Sequence, residues 1–153
     1  MPTPAATQIR AALFTVLETV SGRTWFDGRS DDEPVMPEER PAGVLRILEH
    51  AFDEGRGGGE TEHTLAWEID LYDAAATFGD MAEDQQLALS AINAAIKADD
   101  TLGGRAHRIW LTGATSSPDS VPDVGVMTIT GQGIFFTADN DFNLLIGPGG
   151  QFT

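Results

Sequence analysis

Three histidines, several closely spaced carboxylates, a triple glycine and a serine-rich stretch are where the residue types of this chain invite chemistry. His50 and His63 fall on the two arms of an expected β-hairpin, where they can face each other, while His107 is remote. A metal site needs more, and neither His-x-His nor His-Glu-x-x-His occurs, so cross-strand or surface histidines are the reading. Gly57-Gly58-Gly59 looks like a phosphate loop until its sequel is read. No Gly-Lys-Ser/Thr follows, and Glu60 and Glu62 would repel phosphate. Asp139, Asp141 and Asn143 match the first oxygen positions of a calcium loop, but Leu144 stands at the required glycine and Gly150 at the bidentate glutamate. That segment reads as a turn. Glu68 and Asp70 lie two apart on a strand, roughly 7 Å along one face, a separation that glycosidases use. With no second motif beside them, alternating acids describe a solvated strand face, and a carboxylate-dependent hydrolase is the least favoured reading. Ser116, Ser117 and Ser120 lack a Gly-x-Ser-x-Gly elbow. The absence of cysteine removes thiolate zinc, disulfides and a cysteine nucleophile together. The residues therefore predict no catalytic set, no cofactor and no metal.

The elements that position these groups follow from periodicity. Thr3 can cap a helix opened by Pro4, and Ile9, Leu13, Val16, Leu17 and Val20 recur on one face until Ser21-Gly22. Thr24-Trp25-Phe26 reads as a short strand, followed by an acidic, proline-containing loop from Asp27 to Pro41. Val44–Phe52 and His63–Asp73 read as the arms of a long antiparallel hairpin. In the second arm Leu65, Trp67, Ile69 and Leu71 alternate with Thr64, Ala66, Glu68, Asp70 and Tyr72. A second helix opens at Gly79-Asp80, with Glu83 placed as in a capping box, and closes at Leu102-Gly103-Gly104. Two further strands, Arg105–Leu111 and Val124–Thr130, flank a polar segment, Thr112 to Asp123, expected to be a loop. The fold class is α+β: an antiparallel or mixed sheet with two main helices packed on one face and a long β-hairpin.

Size and charge bound the rest. The chain has 153 residues, 41% hydrophobic and 22% charged, which fits one globular domain with its own core. Residues 1–131 form its main body and 132–153 an apolar C-terminal strand or arm of the same domain. With 24 acidic against 9 basic side chains the formal net charge is −15, which argues against a nucleic-acid groove. The first ten residues lack a signal-peptide pattern, and no apolar run approaches the roughly 20 residues of a membrane span. A soluble protein made in the cytoplasm, with no membrane partner, is expected.

The order of elements, together with Ala-Ile-Asn-Ala-Ala-Ile-Lys-Ala-Asp-Asp-Thr-Leu-Gly-Gly-Arg from Ala91 to Arg105, resembles the tail terminator proteins of long-tailed bacteriophages, the minor tail protein U type. In that family a helix ends in an Asp-x-x-Leu-Gly-Gly-like turn, which Asp99 or Asp100 with Leu102, Gly103 and Gly104 fits. Arg40-Pro41-Ala42-Gly43-Val44 entering a strand and a first helix beginning near Ile9 are supporting matches. The resemblance covers Ile9 to about Ile129; the acidic loop from Asp27 to Glu39 and the Phe-rich tail after Gly131 fall outside the family pattern.

The resemblance implies a hexameric ring at the head-proximal end of a virion tail, stopping polymerisation of the tail tube protein and meeting the head-tail connector. DNA would pass through its lumen without specific binding, in a particle assembled in the host cytoplasm. Another neck or head-completion protein is the alternative. The exposed loops nominate Asp27, Arg29, Asp31, Asp32, Glu33, Arg40, Arg56, Gly58, Glu60 and Glu62 for contact with tube or connector. The apolar tail nominates Phe142, Leu144, Leu145 and Phe152 for contact between subunits.

Overall fold

The alternation that marks residues 64–72 becomes the central strand of a seven-stranded mixed sheet. A computed structural model describes residues 3–28, 35–53, 58–73, 78–121 and 124–151. In chain order the elements are α1 (Ala5–Glu18), β1 (Thr24–Asp27), a 3-10 turn (Pro37–Glu39), β2 (Ala42–Asp53), β3 (Glu60–Asp73), α2 (Phe78–Ala98), β4 (Arg108–Val121), β5 (Val124–Ala138), β6 (Asp141–Gly147) and β7 (Gly150–Gln151). The strand order is β1-β2-β3-β5-β6-β7, with β4 also on β5. Only β1 runs parallel to its neighbour; every other pair is antiparallel. No described helix is long and apolar enough to cross a membrane.

Both helices pack on the same face. Ile9, Leu13 and Leu17 of α1 and Ile92 and Ile96 of α2 join Leu65, Trp67, Ile69 and Leu71 in one core, each at most 2% exposed. Burying side chains of this size stabilises by about 1.5–3 kcal/mol each. The sheet comes this close to the helices because glycine lies beneath the rings. A Cβ on Gly131 would stand 2.1 Å from the Trp67 ring, and one on Gly43 would stand 2.3 Å from Trp25. On the helix-free face a small second core forms from Val35, Ala42 and Val44, with Phe26 and Tyr72 against it.

Three features depart from the sequence reading, and a fourth takes the strand and not the arm of the two forms expected for 132–153. Thr3 makes no side-chain cap; Pro4 is the N-cap residue, and Gln8 Nε2 donates back to the Thr3 carbonyl at 2.9 Å. The segment from Thr112 is not a loop: β4 continues to Val121, paired with β5. It carries little apolar residue because it is an edge strand, with residues 112–116 exposed; such strands also tolerate proline, here Pro118 at an interrupted register. The C-terminal residues do not project as an arm within the described range. β6 pairs with β5, β7 returns on β6, and Leu145 is 1% exposed in the chain's own core. Finally, the left-handed turn after α2 uses Leu102 (φ 51°) as well as Gly103 and Gly104. A leucine there is strained by about 1–3 kcal/mol. Its side chain is 2% exposed, so burial offsets the strain.

The turn after α2 is clamped to β6, since a Cβ on Gly147 would lie 2.0 Å from the Gly104 carbonyl oxygen. Backbone cannot move aside as a side chain end can. Gly147→Ala should lower stability by about 1–3 kcal/mol in urea melts. Gly149→Ala, which meets nothing within 4 Å, should stay within about 0.5 kcal/mol.

Candidate functional site

The carboxylate pair on β3 is structural in its contacts. Asp70 accepts from Arg46 Nη1 at 2.7 Å and from the Thr128 hydroxyl at 2.8 Å, while Glu68 lies 3.6 Å from the same guanidinium. Arg46 comes from β2 and Thr128 from β5, so one carboxylate joins three strands. The described clefts lie elsewhere. One of about 420 Å³ runs between α1 and the end of α2, past Ala11, Thr15, Asp99 and Arg105. Another, about 280 Å³, lies beside Arg23, Pro41 and Leu87.

A second ion pair had no signature in the sequence. Arg23 Nη2 meets Asp73 at 2.8 and 3.0 Å, and its Nη1 donates to the Ala42 carbonyl at 3.0 Å. Both side chains are under 10% exposed, and they fasten the entry to β1 onto the end of β3. Fifty residues separate the partners, so only the fold could reveal them.

The two hairpin histidines do meet. His50 Nε2 lies 2.8 Å from His63 Nδ1, and His63 Nε2 lies 2.8 Å from the Thr137 hydroxyl. His63 continues the core face of β3 beyond Leu65 and is 1% exposed. Its ring stacks on Phe135 at 4.6 Å and meets the edge of Phe142 at 4.6 Å, with Phe52 at 5.9 Å. Burial, and then the neighbouring His50, lower the His63 pKa to about 4; burial lowers His50 as well. The pair is neutral near pH 7. His107 stands apart, edge-on to Phe136 at 4.4 Å. Among the described residues no group of three or more His, Asp or Glu is arranged to hold a metal ion.

The nominated residues divide. Asp99, Asp100, Leu102, Gly103 and Gly104 come together in one turn: Asp99 Oδ1 accepts from the Gly103 amide at 2.8 Å, and the Asp100 carbonyl accepts from Ile109. The first bond explains an acid at a helix C-terminus, where the dipole alone disfavours it. Arg40 turns inward to donate to the Val35 carbonyl at 3.0 Å, and Asp27 pairs with Arg10 at 3.6 Å. Gly58, Glu60 and Glu62 lie at and beside the hairpin tip. Phe142 is half-buried against Phe52 and His63, and Leu144 is half-buried. Arg29, Asp31, Asp32, Glu33, Arg56 and Phe152 lie outside the described residues.

Sequence reasoning missed the feature most capable of binding, the sheet's two outer edges. On its outer side β2 pairs with β1 only through Ala42–Leu45, so no described strand covers Arg46–Asp53. Along that stretch Leu48, at a β-bulge, is 55% exposed and Phe52 is 53% exposed. At the far side, the edge of β4 away from β5 has no described strand partner. Unpaired edges are templates for strand addition. Reading Thr112–Val121 as a loop hid one of them.

No protein-family model matches this sequence, and no curated protein matches it. A chain from the virion of the native gene transfer agent (GTA) particle is similar in structure at a TM-score of 0.44 and 15% identity, over 86% of this chain and 90% of that one. That likeness is too slight to bear on fold or function.

The Arg46–Asp70–Thr128 junction yields a direct test. Arg46→Met leaves a buried carboxylate without its cation and should cost about 2–4 kcal/mol, below the 3–5 of a fully buried pair because Arg46 is partly exposed. Thr128→Val should cost about 1–3 kcal/mol. The two losses should be non-additive in a double-mutant cycle read by urea unfolding.

Proposed function

We propose that this chain is the subunit of a ring that caps the head-proximal end of a phage tail tube, stops tube growth and joins the tail to the head. The observation that carries the ring is the pair of edges, on opposite sides of one sheet, that no described strand covers. Because β2, β3, β5 and β4 are successively antiparallel, β2 and β4 run in opposite directions. Rotation about an axis along the strands preserves those directions. The β4 edge of one copy then meets the β2 edge of the next as an antiparallel pair. Two different edges make a head-to-tail contact, which gives a closed ring if the rotation closes and a filament if it does not. The hexameric count and the place at the tail rest on the sequence resemblance around Asp99–Gly104.

In such a ring the helix-covered face takes the wider outer circumference and the helix-free face turns inward. Glu49, Asp53, Glu60, Glu62 and Glu68 occupy alternate positions on that inner face, against Arg46 and Arg108. Screening acts over about 8–10 Å, so an acidic lumen is felt by DNA as repulsion and lets it slide. The net charge of −15 per copy is consistent with that passage. Glu60 and Glu62, near the hairpin tip, and Leu144 of β6 remain the nominated contacts with tube, connector or neighbour.

Leu48→Lys tests the edge. A lysine on an edge strand opposes pairing. The variant should keep its melting free energy within about 0.5 kcal/mol of the parent. By sedimentation it should run as a monomer where the parent runs as a ring. A parent that is monomeric at every concentration, alone and with tail tubes, would overturn the proposal, as would a Leu48→Lys ring as stable as the parent's. Binding to DNA-filled heads and not to tube ends would favour a different neck protein.

A further inference from the structure

The imidazole pair at the distal end of the β2–β3 hairpin has room for one added proton and not for two. Each imidazole nitrogen is either a donor or an acceptor. Between His50 Nε2 and His63 Nδ1, 2.8 Å apart, one N–H must therefore face one lone pair. The neutral pair satisfies this, with the Thr137 hydroxyl donating to or accepting from His63 Nε2. So does the singly protonated pair: the cationic ring donates to the lone pair of the other, and Thr137 adjusts by rotating its hydroxyl. A second proton sets N–H against N–H and places two cations at a ring-centre separation of 5.1 Å, with His63 enclosed by Phe135 and Phe142.

We propose that His50, His63 and Thr137 form a proton-limited latch that holds the distal hairpin, residues 49–53 and 60–64, onto β5 and β6, and that the second proton releases it. Among the described residues neither ring is hydrogen-bonded to a carboxylate that would hold a second proton in place. Arg10 of α1 lines the same cleft as His50 and disfavours further positive charge. Asp139 accepts from the Thr61 hydroxyl and Asp141 from the Asn143 amide. Glu49, Asp53, Glu60 and Glu62 alternate onto the opposite face of the sheet. The sign of the pH effect follows from lowered pKa values in the folded chain. The latch's contribution is complete above the ordinary histidine value of 6.5 and is lost as the pH falls toward about 4. The two rings titrate as a unit. Residues 49–53 also belong to the β2 edge, so release would withdraw part of the surface assigned to the next copy; that consequence rests on the ring reading, and the latch does not.

Hydrogen exchange on the full chain at about pH 7 and about pH 4.5, corrected for the intrinsic pH dependence, tests it. In the parent, amides of 49–53 and 60–64 should exchange on the order of tenfold faster at the lower pH, while those of 66–71 stay protected. His50→Gln supplies a side-chain oxygen that can accept from a protonated His63, and should keep the distal hairpin closed at both pH values. Proton NMR of the parent should show His63 gaining its proton well below pH 6.5, together with the hairpin opening. Equal protection of the parent's hairpin at both pH values would overturn the latch. So would opening of His50→Gln at the parent's pH, or both rings titrating near 6.5 with the hairpin unchanged. None of these readings depends on whether a ring forms.

Discussion

Fourteen consecutive residue pairs, from Glu60 opposite Ala138 to Asp73 opposite Gly125, join β3 to β5 without a break, and the rest of the molecule hangs from that ladder. A one-residue slip would turn Leu65, Trp67, Ile69 and Leu71 from the helices to the open face. Three contacts across the ladder forbid the slip: Trp67 lies over Gly131, His63 reaches Thr137 and Asp70 accepts from Thr128. The first excludes any side chain beneath the indole. The other two pair buried polar groups that would otherwise lose their partners at a cost of about 1–3 kcal/mol each.

Both long hairpins use the ladder as their inner edge, β2 folding back on β3 and β4 on β5. That arrangement leaves the two outermost long strands without a described strand neighbour along most of their outer sides. β6 takes the stretch of β5 beyond Ile134, where β4 has ended, so the C-terminal residues are used to complete the same edge. The apolar content of the last residues follows from this role. Leu145 enters the core, and Phe142 covers the histidine pair from the side.

The sequence carried the strongly periodic parts of this account. α1 buries Ile9, Leu13 and Leu17 as the helical spacing requires, and β3 presents the apolar face its alternation predicts. The placing of His50 and His63 on the two arms of one hairpin was legible in the sequence, and so was the left-handed turn after α2 from its two glycines. The histidines' diagonal contact, His50 opposite Leu65 and His63 opposite Phe52, needed the register. The burial of His63 is legible only when the alternation is extended past Leu65 to include a polar residue. β4 beyond Leu111 was illegible for a physical reason: an exposed edge strand needs no apolar face, so Thr112–Val121 resembles a loop in composition. Arg23 and Asp73 carried no local mark either, because a buried ion pair between distant segments leaves no spacing to detect.

The acidity that first argued against a nucleic-acid groove becomes, in a ring, a property of the inner face, with the strand edges making the contacts between copies. A cryo-electron-microscopy map of the purified protein tests this most directly. The account predicts closed rings in which β4 of each copy runs antiparallel beside residues 46–53 of its neighbour, helices outside and acids within. Rings joined through the helices with both strand edges bare, or particles no larger than a single chain, would contradict it.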